Sequence, residues 1–367
     1  MTYCCGFKYK QSVFLFADSA ITKASTSANT PAQSSFGERS VQTRNKAVYE
    51  EASKIHRISD KCILAVSAND FIRALDIIDT LKSVYREDRD FSEIIKSLND
   101  NLDLTEERGR EVGFLIALSE KSESKLCTWS SARRELIYAT DYCAIGSLPI
   151  HAEKPIRGLN NFLTSTKPIR EDDLLIGMTA GIQSISLNGS FLGSYDVGGA
   201  IVGIELNESG IRWIDDTLYA ISGPDGLIKN SVMVVNRDER FATSSSYTNS
   251  SLYLSRIDQK NTSLWMERWE NSVEKVFDSL MTPNWVLINP LNNLIIIVRT
   301  ELPSTKTSAC HVKFQDGKSS IVVTDYVTEI LRDGVKGIFI FDDQTALERL
   351  PVIAHEVRRR KAPADSP

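Results

Sequence analysis

The sequence predicts an α+β protein built as a four-layer αββα sandwich, followed by an additional C-terminal α+β domain. Three observations predict it. Over roughly the first 214 residues the pattern runs four strands, two helices, about three strands, two helices and two strands. Such blocks of antiparallel strands and paired helices bury best as sheets stacked face to face with helices outside. Strand-length runs such as 62–66 are apolar at every position, as sheet-on-sheet burial requires. Finally, 367 residues exceed what one small core organises, so two units are expected, 2–220 and 221–367.

The elements follow in order. Residues 2–9 and 12–18 are apolar, aromatic-rich runs around Lys10-Gln11 and predict a hairpin. From 23 to 51 the composition turns to Ser, Thr, Ala, Asn and Gln, which predicts a mobile loop or extended insertion. Residues 54–59 and 61–67 predict a second strand pair around Ser59-Asp60. In 69–82, Phe71, Leu75, Ile78 and Leu81 recur every three or four residues, as do Phe91, Ile94, Ile95 and Leu98 in 91–98; both predict helices. Strands are expected at 112–118, 125–129 and 135–140, helices at 151–163 and 171–186, and closing strands at 199–206 and 210–214. The second helix opens with Glu171-Asp172-Asp173, which suits the positive end of its dipole. Beyond about Gly223, strands are expected at 231–235, 252–254, 285–288, 294–298, 311–314 and 337–341, with helices at 264–280, 324–332 and 345–359.

The charge balance excludes some partners. Net charge is −5, so nothing favours nucleic acid or an anionic membrane, which are bound through surplus Lys and Arg. The basic run Arg358-Arg359-Arg360-Lys361 reads as a solvated helix end. Six cysteines (Cys4, Cys5, Cys62, Cys127, Cys143, Cys310) lie in apolar stretches without a Cys-x-x-Cys pair, and the four histidines form no ligand spacing. Buried thiols in a reducing compartment are expected, and no metal or organic cofactor. No run approaches the ~20 apolar residues of a membrane span, and no secretory signal pattern opens the chain. A cytoplasmic protein is expected.

Chemistry is expected first at Met1-Thr2. Removal of the initiator Met would leave Thr2 with a hydroxyl and a free α-amine on one residue. An α-amine ordinarily titrates at about 7.7–8, so it can take the proton of its own hydroxyl, usually through water. An internal Ser or Thr needs a separate base.

The residues after Thr2 carry a pattern: Thr2-Tyr-Cys-Cys-Gly6, then Phe14-Leu-Phe-Ala-Asp-Ser19, Thr22, and Ser53-Lys54-Ile55. This resembles the opening of proteasome β-subunits, which are N-terminal-nucleophile (Ntn) hydrolases. It is most similar to the bacterial proteasome-like proteins called ancestral β-subunits, which typically start Met-Thr-Tyr-Cys. The resemblance covers about residues 2–215 and implies the Ntn-hydrolase fold. It implies that Asp18, sixteen residues after Thr2, and Lys54 form a salt bridge beside the nucleophile, and that Thr22 contacts an extended substrate. Ala144-Ile-Gly-Ser147 resembles the family's Gly-Ser-Gly turn, which implies that Ser147 relays the amine's proton; Leu148 replaces the last Gly. Ser194-Tyr-Asp-Val-Gly-Gly199 resembles its Asp-x-x-Ser-Gly-Gly segment. There Ser194 takes the Asp position and Val197 the Ser position, and Asp196 is the substitute acid. Ala20 replaces the usual Arg, and Val66 or Ser67 stands at the Gly whose amide serves as oxyanion donor.

The resemblance therefore implies a threonine-type amide or peptide hydrolase that self-assembles into a homo-oligomer, with an ATPase partner left open. The alternative is an inactive proteasome-like scaffold, favoured by the altered 194–197 segment and the lost glycines and opposed by Thr2, Asp18 and Lys54. A third reading makes the C-terminal unit a sensor for a regulated hydrolase. Its helical cluster Leu264, Trp265, Trp269, Val273, Val276 and Phe277 is expected to pack on its own core.

Overall fold

The computed structural model describes residues 2–24, 34–38, 46–50, 53–102, 111–120, 123–165, 171–214, 217–222, 228–237, 240–245, 253–254, 285–289, 294–299 and 337–340. The expected strand 311–314, the expected helices 264–280, 324–332 and 345–359, and the apolar cluster between Leu264 and Phe277 lie outside the described residues. The described residues are mixed α+β with sheets that are antiparallel apart from one parallel pair, 285–288 with 337–340, and none of their helices is long and apolar enough to cross a membrane.

The chain opens with the expected hairpin, β1 (Tyr3–Tyr9) and β2 (Ser12–Asp18), paired Tyr9 to Ser12 and Cys4 to Ala17. Every residue of β2 is buried, and Phe7 stacks on Phe14 and Phe16 with centroids 4.9 and 5.7 Å away. Next come β3 (Ala20–Ala24) and β4 (Lys46–Glu50), which pair with each other as a two-stranded ribbon. The polar composition of 23–51 hid this ribbon, so the expectation of a loop is amended at both its ends.

β5 (Ile55–Ser59) and β6 (Cys62–Ala68) form the second hairpin. The all-apolar run in β6 has the expected two-sided burial: Ile63 and Ala65 join the core of β1 and β2, while Cys62, Leu64 and Val66 join the core beneath the helices α1 (Phe71–Val84) and α2 (Phe91–Asn101). The Asp70 side chain caps α1, and Asp90 caps α2. In α1 the buried residues are Ala74, Ile77, Ile78 and Leu81. The inward face is thus rotated from the expected stripe, leaving Phe71 and Leu75 half-buried. The stripe of α2 is as expected.

β7 (Val112–Glu120), β8 (Glu123–Ser130) and β9 (Leu136–Ala139) follow β6 to complete a sheet of order β5-β6-β7-β8-β9. A strand the sequence reading missed, β10 (Tyr142–Gly146), then crosses to the first sheet, pairing with β1. Helices α3 (Ile150–Ser165), α4 (Glu171–Asn188) and the short, unforeseen α5 (Phe191–Tyr195) precede β11 (Ile201–Asn207) and β12 (Gly210–Trp213). The first sheet runs β10-β1-β2-β11-β12. Buried Glu205 ties three of its strands together, accepting from Ser12 Oγ at 2.7 Å and from Arg212 Nε at 2.8 Å.

The inner faces of the two five-stranded sheets meet in one core that takes in Leu15, Ile63, Leu115 and Leu126, and it continues through Phe7 and Phe16 on the other face of the first sheet to Leu175 and Met178 of α4. A third sheet contains β13 (Thr217–Ser222), β14 (Ile228–Arg237), β15 (Arg240–Ser245), β16 (Tyr253–Leu254), β17 (Trp285–Asn289), β18 (Leu294–Arg299) and β19 (Gly337–Ile340). Its order is β16-β15-β14-β13-β18-β17-β19.

Candidate active site around Thr2

Thr2 lies at the start of β1, 5% exposed. Register brings the ends of β10 and β2 to either side of it, because Tyr3 pairs with Gly146 and Cys4 with Ala17. The Ser147 N–H donates to the Thr2 carbonyl at 2.8 Å. The next amide, of Tyr3, donates to Asp18 Oδ1, also at 2.8 Å. The turn behind Thr2 requires glycine. Gly146 has φ +117°, and a Cβ there would stand 1.9 Å from the Thr2 carbonyl oxygen.

Asp18 and Lys54 meet beside Thr2. Both side chains are fully buried, with Lys54 Nζ 2.8 Å from Asp18 Oδ1. The ammonium also donates to the Ala20 carbonyl at 2.5 Å, and Asp18 Oδ2 accepts the Gly198 N–H at 3.1 Å. The Ala20 N–H donates to the Gly198 carbonyl at 3.1 Å. Gly198, Asp18, Lys54 and Ala20 thus close a ring of contacts. A buried ion pair is tolerated when its remaining polar atoms are satisfied in this way.

The other sequence candidates divide. Ala20 takes part through its backbone. Thr22 sits in β3 opposite Val48. The Val66 N–H is committed to the Lys54 carbonyl at 2.8 Å and its side chain to the helix-covered core, so Val66 offers no open donor. Strand alternation turns the Ser67 amide toward Gly113 on β7 and the Ala68 amide back to the Val66 side. Asp196 caps the end of α5 with φ +53°. Among the described residues it makes no hydrogen bond or ion pair with Thr2, Asp18, Lys54 or Ser147. The Gly198 amide, two residues on, is met by Asp18 instead.

Two residues passed over in the sequence, Glu38 and Glu50, do reach this centre. Glu50 is buried and accepts from Ser35 N at 2.8 Å, Ala200 N at 2.6 Å and Ser19 Oγ at 3.3 Å. Glu38 Oε2 accepts from Ser34 Oγ at 3.2 Å and Gly199 N at 3.4 Å. Burial pushes the Glu38 carboxyl up to about 8 and raises that of Glu50 as well. Charge in a polar segment reads as solvated, and nothing local in the sequence signals partners more than a hundred residues away.

A cavity of about 420 Å³ opens next to this centre, lined among others by Ser67, Ala68, Gly113, Ser130, Gly146 and Ser147, with Glu111, Arg133 and Glu135 also on its walls. Cysteine chemistry is not favoured here. Cys4, Cys5, Cys62 and Cys127 are buried and unbridged, and burial raises each thiol. No group of His, Cys, Asp and Glu among the described residues is arranged to hold a metal ion.

No protein-family profile matches the chain, and no curated protein matches it. Among solved structures, eukaryotic HslV from Trypanosoma brucei is similar at 13% identity and a TM-score of 0.40, covering 56% of this chain and 100% of that one.

Proposed function

We propose that the chain is an N-terminal-nucleophile hydrolase of the proteasome type, in which Thr2, its α-amine freed by cleavage between residues 1 and 2, attacks an amide or peptide carbonyl. In this reading the two facing sheets and their helices are the αββα sandwich. The observation that carries it is the buried ion pair beside Thr2, in which Asp18 Oδ1 accepts both Lys54 Nζ and the Tyr3 N–H at 2.8 Å. An ammonium so placed favours an alkoxide on Thr2, and Asp18 keeps it from being an unpaired buried charge.

The α-amine takes the hydroxyl proton and passes it to the leaving amine, with Ser147 as relay. Water activated by the same amine then hydrolyses the acyl-enzyme. The Ala68 amide, on the same side of β6 as that of Val66, is the oxyanion donor in place of Val66 or Ser67. The cavity beside Ser147 takes the leaving-group half, and its polar walls suit a peptide better than an acyl chain. Cytoplasmic self-assembly belongs to the same reading. Ile137 and Tyr138 on edge strand β9 are 46% and 50% exposed, the kind of edge a second copy covers.

Intact-mass analysis followed by β-lactone labelling tests this. The expected result is a chain beginning at Thr2 with a single adduct on that residue. Thr2→Ala and Lys54→Ala should both abolish the adduct. Lys54→Ala should in addition lower stability by about 3–5 kcal/mol in urea unfolding, because it strands the buried Asp18 charge. A retained Met1 sinks the mechanism. A chain that begins at Thr2 yet never labels favours the inactive scaffold, the reading for which Asp196's absence from the centre speaks.

A further inference from the structure

Three successive backbone N–H groups, those of Gly198, Gly199 and Ala200, each meet a different carboxylate. Gly198 donates to Asp18 Oδ2 at 3.1 Å, Gly199 to Glu38 Oε2 at 3.4 Å, and Ala200 to Glu50 Oε1 at 2.6 Å. The acids come from β2, the 34–38 turn and the end of β4 respectively. Consecutive amides on a turned backbone make a concavity that favours an anion, and Gly199, at φ +74°, supplies the turn. A Cβ at Gly199 would lie 2.7 Å from Ser19 Oγ and 3.0 Å from Glu50 Cγ, so the acids close directly on the backbone.

Three carboxylates converge, but the one cation among these contacts, Lys54, is paired with Asp18. Glu50 is compensated by hydrogen bonds from Ser19, Ser35 and Ala200. Glu38 is less well served: the backbone of Gly199 and Leu192 and the Ser34 hydroxyl favour its charge, but burial outweighs them, and its Oε1 has no donor at hydrogen-bond distance among the described residues. A buried carboxylate oxygen without a donor is the natural place for a proton.

We propose that Glu38 and Glu50 are positioning residues of the Thr2 centre, forming a clamp on Gly199–Ala200 that is closed while Glu38 is protonated and opens when that proton is lost. The path to the centre is the ring of Gly198, Asp18, Lys54 and Ala20. The clamped segment holds Asp18 through the Gly198 N–H and holds Ala20 through the Gly198 carbonyl, and those two groups hold Lys54 Nζ. Among the described residues the charged groups facing Glu38 are Glu50 from β4 and, across the Gly198 amide, Asp18 with Lys54. Asp196 lies in the same loop, and the face of α5 at Leu192 and that of α4 at Gln183 are uncharged. Ionisation of Glu38 therefore adds a charge beside Glu50 that no cation among the described residues balances. The Glu38 carboxyl lies above its ordinary range, at about 8. The grip is thus fully present below the ordinary carboxylate range and is lost as pH rises through about 8. The clamp also gives the 34–38 turn a means of governing the nucleophile. Its catalytic consequence rests on Thr2 being that nucleophile, whereas its structural consequence does not.

The test uses the full chain, wild type and Glu38→Gln, at pH 6.5 and pH 9. Hydrogen exchange is read by mass spectrometry over 34–50 and 195–202, corrected for the intrinsic pH dependence of exchange, with β-lactone labelling of Thr2 in parallel. Wild-type protection of both segments should fall at least tenfold at pH 9, and that of Glu38→Gln less than twofold. The ratio of Glu38→Gln to wild-type labelling rates should rise at least fivefold over the same interval. The ratio is needed because the α-amine itself titrates there. Wild-type protection that ignores pH, or that falls equally in Glu38→Gln, overturns the clamp. If Thr2 labels at neither pH, the hydrolase reading fails and exchange alone decides the clamp. Should Glu38→Gln not fold, the wild-type exchange profile decides: a midpoint near pH 8 supports the clamp and a flat profile overturns it.

Discussion

Gly146 stands between two demands, a left-handed backbone and contact with the carbonyl of Thr2. Gly146→Ala would put a Cβ 1.9 Å from that oxygen at φ +117°, so either the turn or Thr2 must move. Strained positions of this kind cost about 1–3 kcal/mol each. The expected outcome is a fall in urea stability of that order, with Thr2 labelling slowed by at least a hundredfold, because a shift of about an ångström at a reacting atom is worth that much. Labelling at the wild-type rate would show that Thr2 does not depend on this turn. At this scale Asp18 and Lys54 were legible from spacing to Thr2, and the fold brings them to 2.8 Å. Glu38 and Glu50 were not. A carboxylate's burial depends on where its partners fold, and Ala200, which donates to Glu50, lies 150 residues away. Asp196 is the opposite case: it is near the right place in sequence, and the end of α5 holds it at the helix terminus.

Among the elements, α1 depends on its cap. Asp70 Oδ1 accepts from Ile72 N and Arg73 N, both at 3.1 Å, and α1 covers the outer face of β6 above Leu64 and Val66. Asp70→Ala should cost about 1 kcal/mol, within the usual range of about 0.5–2 kcal/mol for a lost N-cap, measured as a lower urea midpoint with Thr2 labelling intact. A loss well beyond that range would mean that Asp70 does more than cap. The strands and helices read correctly were those with two buried faces or one strong stripe, such as β2, β6 and α2. Missed elements lacked both signals. β10 is half-buried along most of its length and follows β9 after only Thr140-Asp141, so the expected strand 135–140 took in β9 and stopped short of it. α5 has five residues, too few to show a period. The β3–β4 ribbon sits in a segment whose composition resembles a loop, and its pairing carries Glu50 opposite Ala20.

Across the whole molecule, an aromatic contact ties the seven-stranded sheet to the turn beside the Thr2 centre. Tyr219 on β13 is 1% exposed and meets Phe36 edge-on, with centroids 5.2 Å apart at 73°. Phe36 lies between Ser35, which donates to Glu50, and the turn residue Glu38. Tyr219 shares its core with β1 and β2, so the core of the first unit continues into a sheet whose first strand begins at Thr217. Tyr219→Ala removes a buried aromatic ring, typically about 3–5 kcal/mol, and should lower the urea midpoint accordingly. It should also remove exchange protection from 34–38 at pH 6.5 and pH 9 alike, because it takes away the packing that seats the turn rather than the proton that closes it. That pH-independence separates it from loss of the Glu38 proton, which acts only at the alkaline end. If Tyr219→Ala leaves 34–38 protected, the turn is seated without the Tyr219 ring and this contact has no hold on the Thr2 centre.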